Sequence, residues 1–368
     1  MSIERMGSES EVRKSLFALG IELDGEGYHP GAWRRADHEP ERLLGPQVLR
    51  ARVAAAENAG FTFASFDDSI TPPAIGGRID AVTRAGFVAA VTSTLGLVPV
   101  VAATYAEPFH ISSQLASLDY ASRGRAGWLA ADDPGSARTW GATPRVGDAD
   151  IRRERVDSIE VARRLWDSWE DDAVVRDYAA GKFLNRDRLH HIDFIGETFS
   201  VKGPAIVPRP PQGQVVVFGY DTAGSGIDVA LVSGATVAET LAAVRHAREA
   251  GVPRVLVDLA VALDIPGASA SERLAELDDN TVADHAARLH FSGGTADLIA
   301  LLTELSAHTD GVRLHLAVID EDLPVLAHYV LPALLRAGIA HRPVPGSTLR
   351  ANLRLPRPAN RYAKELTR

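Results

Sequence analysis

The chain has 368 residues, 46% hydrophobic and 24% charged, with 31 glycines, 21 prolines and a formal net charge of −9, the profile of a globular protein able to bury a large core. It has no cysteine, which excludes disulfides, thiolate metal sites and cysteine nucleophiles, and its acidic charge is dispersed with no basic stripe for nucleic acid. No apolar run nears the roughly 20 residues of a membrane span, and the first ten residues lack a signal-peptide core, so the chain reads as cytoplasmic.

Taken in order, short β-rich apolar runs alternate with helical periodicity. The strand candidates are Ser15–Gly20, Phe61–Phe66, Gly96–Ala103, Ala126–Ala130, Val215–Gly219, Gly226–Val232, Arg254–Leu263 and Gly311–Val318. Several are almost continuously apolar, as strands covered on both faces are. Between them, Pro46–Ala59 carries Leu49, Val53 and Ala56 on one face and stops at Gly60. Arg152–Trp169 sets Val156, Ile159, Leu165, Trp166 and Trp169 at helical spacing. Thr236 and Glu239 predict a capping box before Val237, Leu241 and Val244. Thr295–Ala307 and Leu323–Ala337 complete the set.

This alternation of βαβ units predicts an α/β chain with a parallel sheet. Eight strands suit a closed (β/α)8 TIM barrel, with a doubly wound open sheet as the alternative that counting leaves. The proline-rich stretch 171–214 falls between strands four and five as an irregular excursion, and such long loops are more often functional than inert. The proline-punctuated basic tail 342–368 is expected to wrap the surface. One domain over 1–368 follows. No metal site is expected: His190 and His191 are adjacent rather than at i, i+4. Ser225, between Gly224 and Gly226, lacks the Gly-x-Ser-x-Gly spacing of a nucleophile elbow.

Several segments together carry a family resemblance. Gly27-Tyr28-His29-Pro30-Gly31-Ala32-Trp33-Arg34 follows the first strand. Thr104-Tyr105-Ala106-Glu107-Pro108-Phe109-His110 leads into Leu115-Ala116-Ser117-Leu118-Asp119 and on to Gly124-Arg125-Ala126-Gly127-Trp128. Leu165-Trp166-Asp167-Ser168-Trp169, Ile192-Asp193-Phe194-Ile195-Gly196-Glu197 and Pro208-Arg209-Pro210-Pro211-Gln212-Gly213 come later, with Leu355-Pro356-Arg357-Pro358 near the end. In this order, over residues 15 to 360, they resemble the bacterial luciferase-like flavin-dependent monooxygenases, in the nitrilotriacetate monooxygenase-like branch.

The resemblance implies a barrel with FMN at the C-terminal ends of its strands, where active sites of this fold lie. It implies FMNH2 from a separate flavin reductase, O2 as co-substrate, a small organic substrate, and a homodimer or dimer of dimers. It points to His29 and Tyr105 as the groups facing substrate or peroxide, and to Asp68 as a flavin-positioning acid, with Asp67 turned to the opposite side. Flavin-contacting positions of the family fall on Val100, where a Thr or Ser is usual, and on Leu129, where an Asn is usual. The family's phosphate loop falls on Gly219, Tyr220 and Thr222, in a segment too short for the helix that normally follows. These departures define an alternative: a degenerate member with impaired flavin binding, acting as a non-catalytic subunit or binding protein. A deazaflavin in place of FMN is a third expectation.

Overall fold

The computed structural model describes residues 17–36, 38–69, 77–133, 135–220, 222, 226–279 and 288–363. Ser15 and Leu16 of the first expected strand lie outside them, as do Asp221 and Ala223–Ser225 of the expected phosphate loop. The elements begin with β1 (Ala18–Glu22), α1 (Pro46–Ala59), β2 (Phe63–Phe66), α2 (Ala81–Ala89), β3 (Gly96–Ala102), α3 (Pro108–Ala121) and β4 (Gly127–Ala131). The short α4 (Ser136–Trp140) and the long α5 (Asp148–Asp167) follow. Two antiparallel ribbons fill the excursion, β5 (Val174–Asp177) with β6 (Lys182–Leu184) and β7 (Phe194–Ile195) with β8 (Ser200–Val201). Then come β9 (Val216–Gly219), β10 (Val229–Val232), α6 (Val237–Glu249), β11 (Arg254–Leu263), α7 (Ala270–Asp278), β12 (Leu289–Gly293), α8 (Thr295–Ser306) and β13 (Gly311–Leu316). The last helices are α9 (Ile319–Val325), α10 (Leu331–Arg336) and α11 (Leu349–Asn352).

Eight parallel strands run in the order β10-β9-β4-β3-β2-β1-β13-β11, and pairing of β10 with β11 closes the ring. This is the expected (β/α)8 barrel, and each of the eight strands overlaps its sequence-predicted run. The runs are apolar throughout because one face packs on the helices and the other fills the barrel. Alternation sends Phe63, Val98, Val216, Phe218, Leu231 and Leu256 inward, where they form an interior cluster. Gly20 leaves room for that filling: a Cβ there would sit 2.2 Å from the Phe63 ring. No expected strand covers β12, which pairs outside the ring with the second half of β11, Leu259 to Leu263.

Three expectations change in the structure. The helix expected at Leu323–Ala337 begins at Ile319 and is broken by a π-turn at Leu326–Val330. Pro324 and Pro332 each remove an amide from the i→i−4 ladder, which accounts for the irregular winding. Thr236 does cap α6 by accepting from the Glu239 amide, but the Glu239 carboxylate accepts from Ala235 N–H at 2.9 Å, so the box is not reciprocal. The tail does more than wrap the surface. Leu349, Leu353 and Leu355 are buried within the interior cluster, and a Cβ on Gly96 would lie 2.6 Å from Leu349. The tail therefore plugs the barrel at the end where Gly96 begins β3.

The excursion is held at its base by buried charge. Arg209 donates to Asp167 at 3.1 Å and to Asp171 at 3.0 Å, while the Gln212 amide side chain donates to Asp119 at 2.6 Å. No helix separates β9 from β10 among the described residues, a span of only nine residues where parallel neighbours ordinarily need a longer crossover. Asp228 anchors the incoming chain. Burial would raise its carboxyl, but the guanidinium groups of Arg163 and Arg350 hold it below the ordinary range.

Candidate functional site

The strands' C-terminal ends carry a charged layer inside an otherwise apolar barrel. Glu22 closes β1, Ser65 lies on β2, Asp258 on β11, and Arg313 and His315 on β13. Arg313 is fully buried and forks onto Asp258, Nε to Oδ1 at 2.7 Å and Nη2 to Oδ2 at 2.6 Å. His315 lies 3.3 Å from Glu22 and 3.4 Å from Asp258. Burial alone would raise Glu22, yet His315 and Arg313 hold its carboxyl down at about 2. The same pairing holds Asp258 well below the carboxylate range against its burial. Burial would lower the pKa of His315, but Glu22 and Asp258 raise it. Two acids and two bases thus sit as a charge-balanced cluster, the condition on which buried ions are tolerated.

Arg313 Nη2 also donates to the Tyr220 hydroxyl at 2.8 Å, with the guanidinium 5.7 Å from the centre of the Tyr220 ring. Because that oxygen accepts from arginine, its own proton is available to a ligand. Tyr220 is 49% exposed and forms one wall of a cleft of about 500 Å³. Tyr28, Thr222, Asp258, Arg288 and His290 are also in its lining. Tyr28 stands edge-on to His290, ring centres 5.7 Å apart. It is placed by Gly27, whose φ of +138° lets the backbone come so close to β13 that a Cβ would meet the Ala317 carbonyl at 2.4 Å. The volume lies within the roughly 300–1,000 Å³ of small-molecule sites.

The residues expected from the sequence separate into two groups. Gly219, Tyr220 and Thr222 come together at or beside this cleft. Val100 and Leu129 are register partners on β3 and β4 and are buried in the interior cluster, an apolar pair without a hydrogen-bonding group in either side chain. His29 is 2% exposed and both ring nitrogens are engaged: Nδ1 accepts from Gly31 N–H at 3.0 Å, so Nε2 carries the proton shared with Asp278 at 3.1 Å. Tyr105, at φ 58°, accepts from Arg145 N–H at 2.6 Å while its own amide donates to Glu154 at 3.0 Å. Both residues tie loops to neighbouring helices.

Asp68 accepts from Ser69 N–H at 2.9 Å and from Ala81 N–H at 2.7 Å, at the start of α2. The inward side at this level belongs to Asp67, two residues on from Ser65. Burial, then Glu22 and Asp24, push its carboxyl up to about 6. Asp258, Arg313 and His315 were missed by sequence reasoning. The signal was present: charged residues inside continuous apolar strands, two of them at i, i+2, must share one buried face.

One further cluster brings Glu26, His38 and Asp320 within 4.8 Å of one another. Arg52 already bridges the two carboxylates, donating to Glu26 and, at 2.6 Å, to Asp320. A guanidinium holds the cation position there. Among the described residues, no helix is long and apolar enough to cross a membrane.

A family model described as luciferase-like monooxygenase matches residues 29–290. The chain belongs to this family. It is 33% identical over 222 residues to N-acetyl-S-(2-succino)cysteine monooxygenase of Bacillus subtilis, covering 58% of this chain and 50% of the relative. It is 33% identical over 233 residues to nitrilotriacetate monooxygenase component A of Aminobacter aminovorans, covering 58% and 51%. The chain thus spans about half the length of these curated relatives. A solved riboflavin lyase, with modified FMN and riboflavin, shares the fold at TM-score 0.79 and 20% identity, covering 92% of this chain and 95% of the other.

Proposed function

We propose that the chain is an FMNH2-dependent monooxygenase acting with O2 on a small organic molecule at the mouth of the barrel. The observation that carries the reading is the cleft at the C-terminal strand ends, in a chain of this family, with Tyr220, Thr222, Arg288 and His290 turned toward it. The lining fits a polar aromatic ligand with an anionic end. Tyr220 offers a hydroxyl proton, Thr222 a hydroxyl, Arg288 a guanidinium, and Tyr28 and Tyr220 offer ring faces. Val100 and Leu129, buried in the interior cluster and outside this lining, offer only van der Waals contact. Reduced flavin would supply the activation of O2; the protein's share is binding, orientation and exclusion of water.

Within this reading Arg313 keeps the Tyr220 oxygen fixed, so that its proton is directed outward. Asp258 and Glu22 keep Arg313 and His315 charged and immobile, giving the mouth a preorganised field. Tyr28 and His290 close the side of the cleft. Asp67 follows β2 outside the cleft lining, and burial, then Glu22 and Asp24, push its carboxyl up to about 6. His29, Tyr105 and Asp68 support the mouth by holding the loops that surround it. A separate reductase supplying FMNH2 and a homodimeric assembly complete the proposal.

A second reading is favoured by one observation, the paired Val100 and Leu129. If flavin is not held, the chain is a binding subunit. Anaerobic titration of the purified protein with FMN and with FMNH2 decides between them. Micromolar binding of the reduced form is expected; a folded protein that binds neither form overturns the monooxygenase reading.

A further inference from the structure

The cleft contains a cation that the fold does not use. Arg288 precedes β12, is partly buried, and lines the cleft together with His290, Tyr28 and Tyr220. It makes no hydrogen bond or ion pair among the described residues. The acids around it are already committed. Asp258 is taken by the Arg313 fork and Glu22 by His315 and Arg313. Asp24 is paired with Arg78 and Arg84, and Asp67 lies 3.7 Å from Arg78. Glu22 feels the charge of Arg288 but is already shared by His315 and Arg313, so the guanidinium reaches the cleft wall without an ion pair of its own. His246 and His290 are also in the lining.

We infer that Arg288 is the counter-ion for an oxyanion carried by the ligand of this cleft. Its planar fork of donors matches the two oxygens of a carboxylate or of a phosphate. The Tyr220 hydroxyl, whose oxygen is occupied by Arg313, adds a directed donor for the same oxyanion, and Tyr28 and His290 supply an aromatic edge for the carbon skeleton. The ligand class is a small organic anion. Two sources share this chemistry: a carboxylate on the organic substrate, or the phosphate of the flavin. The substrate source rests on the monooxygenase reading, whereas the anion site itself does not.

The test uses flavin-free full-length protein at low ionic strength, with succinate and inorganic phosphate as calorimetric probes and FMN against riboflavin as the second pair. Wild type is expected to bind at least one probe anion or to prefer FMN to riboflavin. Arg288→Ala is expected to weaken that binding by about tenfold or more, the equivalent of one charge-assisted hydrogen bond, and Arg288→Lys to restore part of it. Loss of the FMN preference with succinate unaffected assigns the phosphate source. Loss of succinate binding with the FMN preference intact assigns the substrate source. If no anion binds and FMN and riboflavin bind alike, or if binding survives Arg288→Ala, the inference is overturned. An unchanged melting temperature of the variant, or the same result with Arg288→Gln, separates these outcomes from misfolding. Anion binding without flavin binding would leave the inference standing and remove the monooxygenase reading.

Discussion

Arg313 and Asp258 are register partners on adjacent parallel strands, and their side chains meet inside the barrel through two hydrogen bonds of 2.7 and 2.6 Å. The pair is the floor on which the mouth is built, because the same guanidinium fixes Tyr220. Replacing Arg313 by Met leaves the buried Asp258 without its two guanidinium hydrogen bonds, with only His315, 3.4 Å away, as a counter-charge. Such a change is expected to cost about 3–5 kcal/mol, read as a lower urea midpoint. Adding Asp258→Leu is expected to recover much of the loss. A single substitution that left the midpoint unchanged would show that the pair does not hold the fold.

The cluster also fixes how stability depends on pH. Glu22 has a folded pKa of about 2 against an ordinary 4.5. Its stabilisation is complete above 4.5 and is lost as pH falls from there toward 2. His315 is raised above its ordinary 6.5, so its contribution is complete below 6.5 and is lost as pH rises through the folded value. Melting temperature against pH should therefore fall on both sides of this window. Glu22→Gln should flatten the acid limb and His315→Asn the alkaline limb; unchanged limbs in both variants would count against the assignment.

Gly20 is set by packing rather than by a turn. Alanine there places its Cβ 2.2 Å from the Phe63 ring, and overpacking of this kind costs about 1–3 kcal/mol. Gly20→Ala should lower the thermal midpoint, and Phe63→Leu in the same chain should return part of it. If the double variant is no more stable than Gly20→Ala, the contact with Phe63 is not the cause.

Val100 and Leu129 allow the two functional readings to be separated by mutation. Val100→Thr with Leu129→Asn places a hydroxyl and an amide among the interior apolar side chains, at an expected cost of about 1–3 kcal/mol for each group without a partner. If the apolar pair is what weakens flavin binding, the double variant should bind FMN more tightly in a fluorescence titration despite its lower stability. Unchanged affinity would remove the pair as the basis of the binding-subunit reading.

The barrel was legible because its evidence is local and periodic: eight apolar runs such as Arg254–Leu263, most of them separated by stretches of helical periodicity. Of the residues the resemblance pointed to, Tyr220 and Thr222 line the cleft, being close together in a continuous stretch of chain. For His29 and Tyr105, a sequence does not show that Gly31 N–H and Asp278 engage both imidazole nitrogens, or that the Tyr105 oxygen accepts from Arg145 N–H. Asp68 was assigned by the resemblance and Asp67 by alternation, and which of the two faces inward depends on strand register carried past Phe66. Arg288 lay in no recognised motif. Its meaning comes from what its neighbours have already bonded, which only the three-dimensional arrangement supplies.

The plug formed by Leu349, Leu353 and Leu355 has a consequence for how the molecule comes into being. These side chains pack between strands that begin some 250 to 330 residues earlier, such as Gly96–Ala102 and Ala18–Glu22. On the ribosome, every staves-and-helix unit of the ring is therefore synthesised before the piece that seals it. A chain emerging from its N-terminus can form adjacent strand pairs, but its interior stays open to water at one end until residues 349–355 have been made. Sealing the core is a late event in synthesis, and the ring must stay soluble with that end open until the plug arrives.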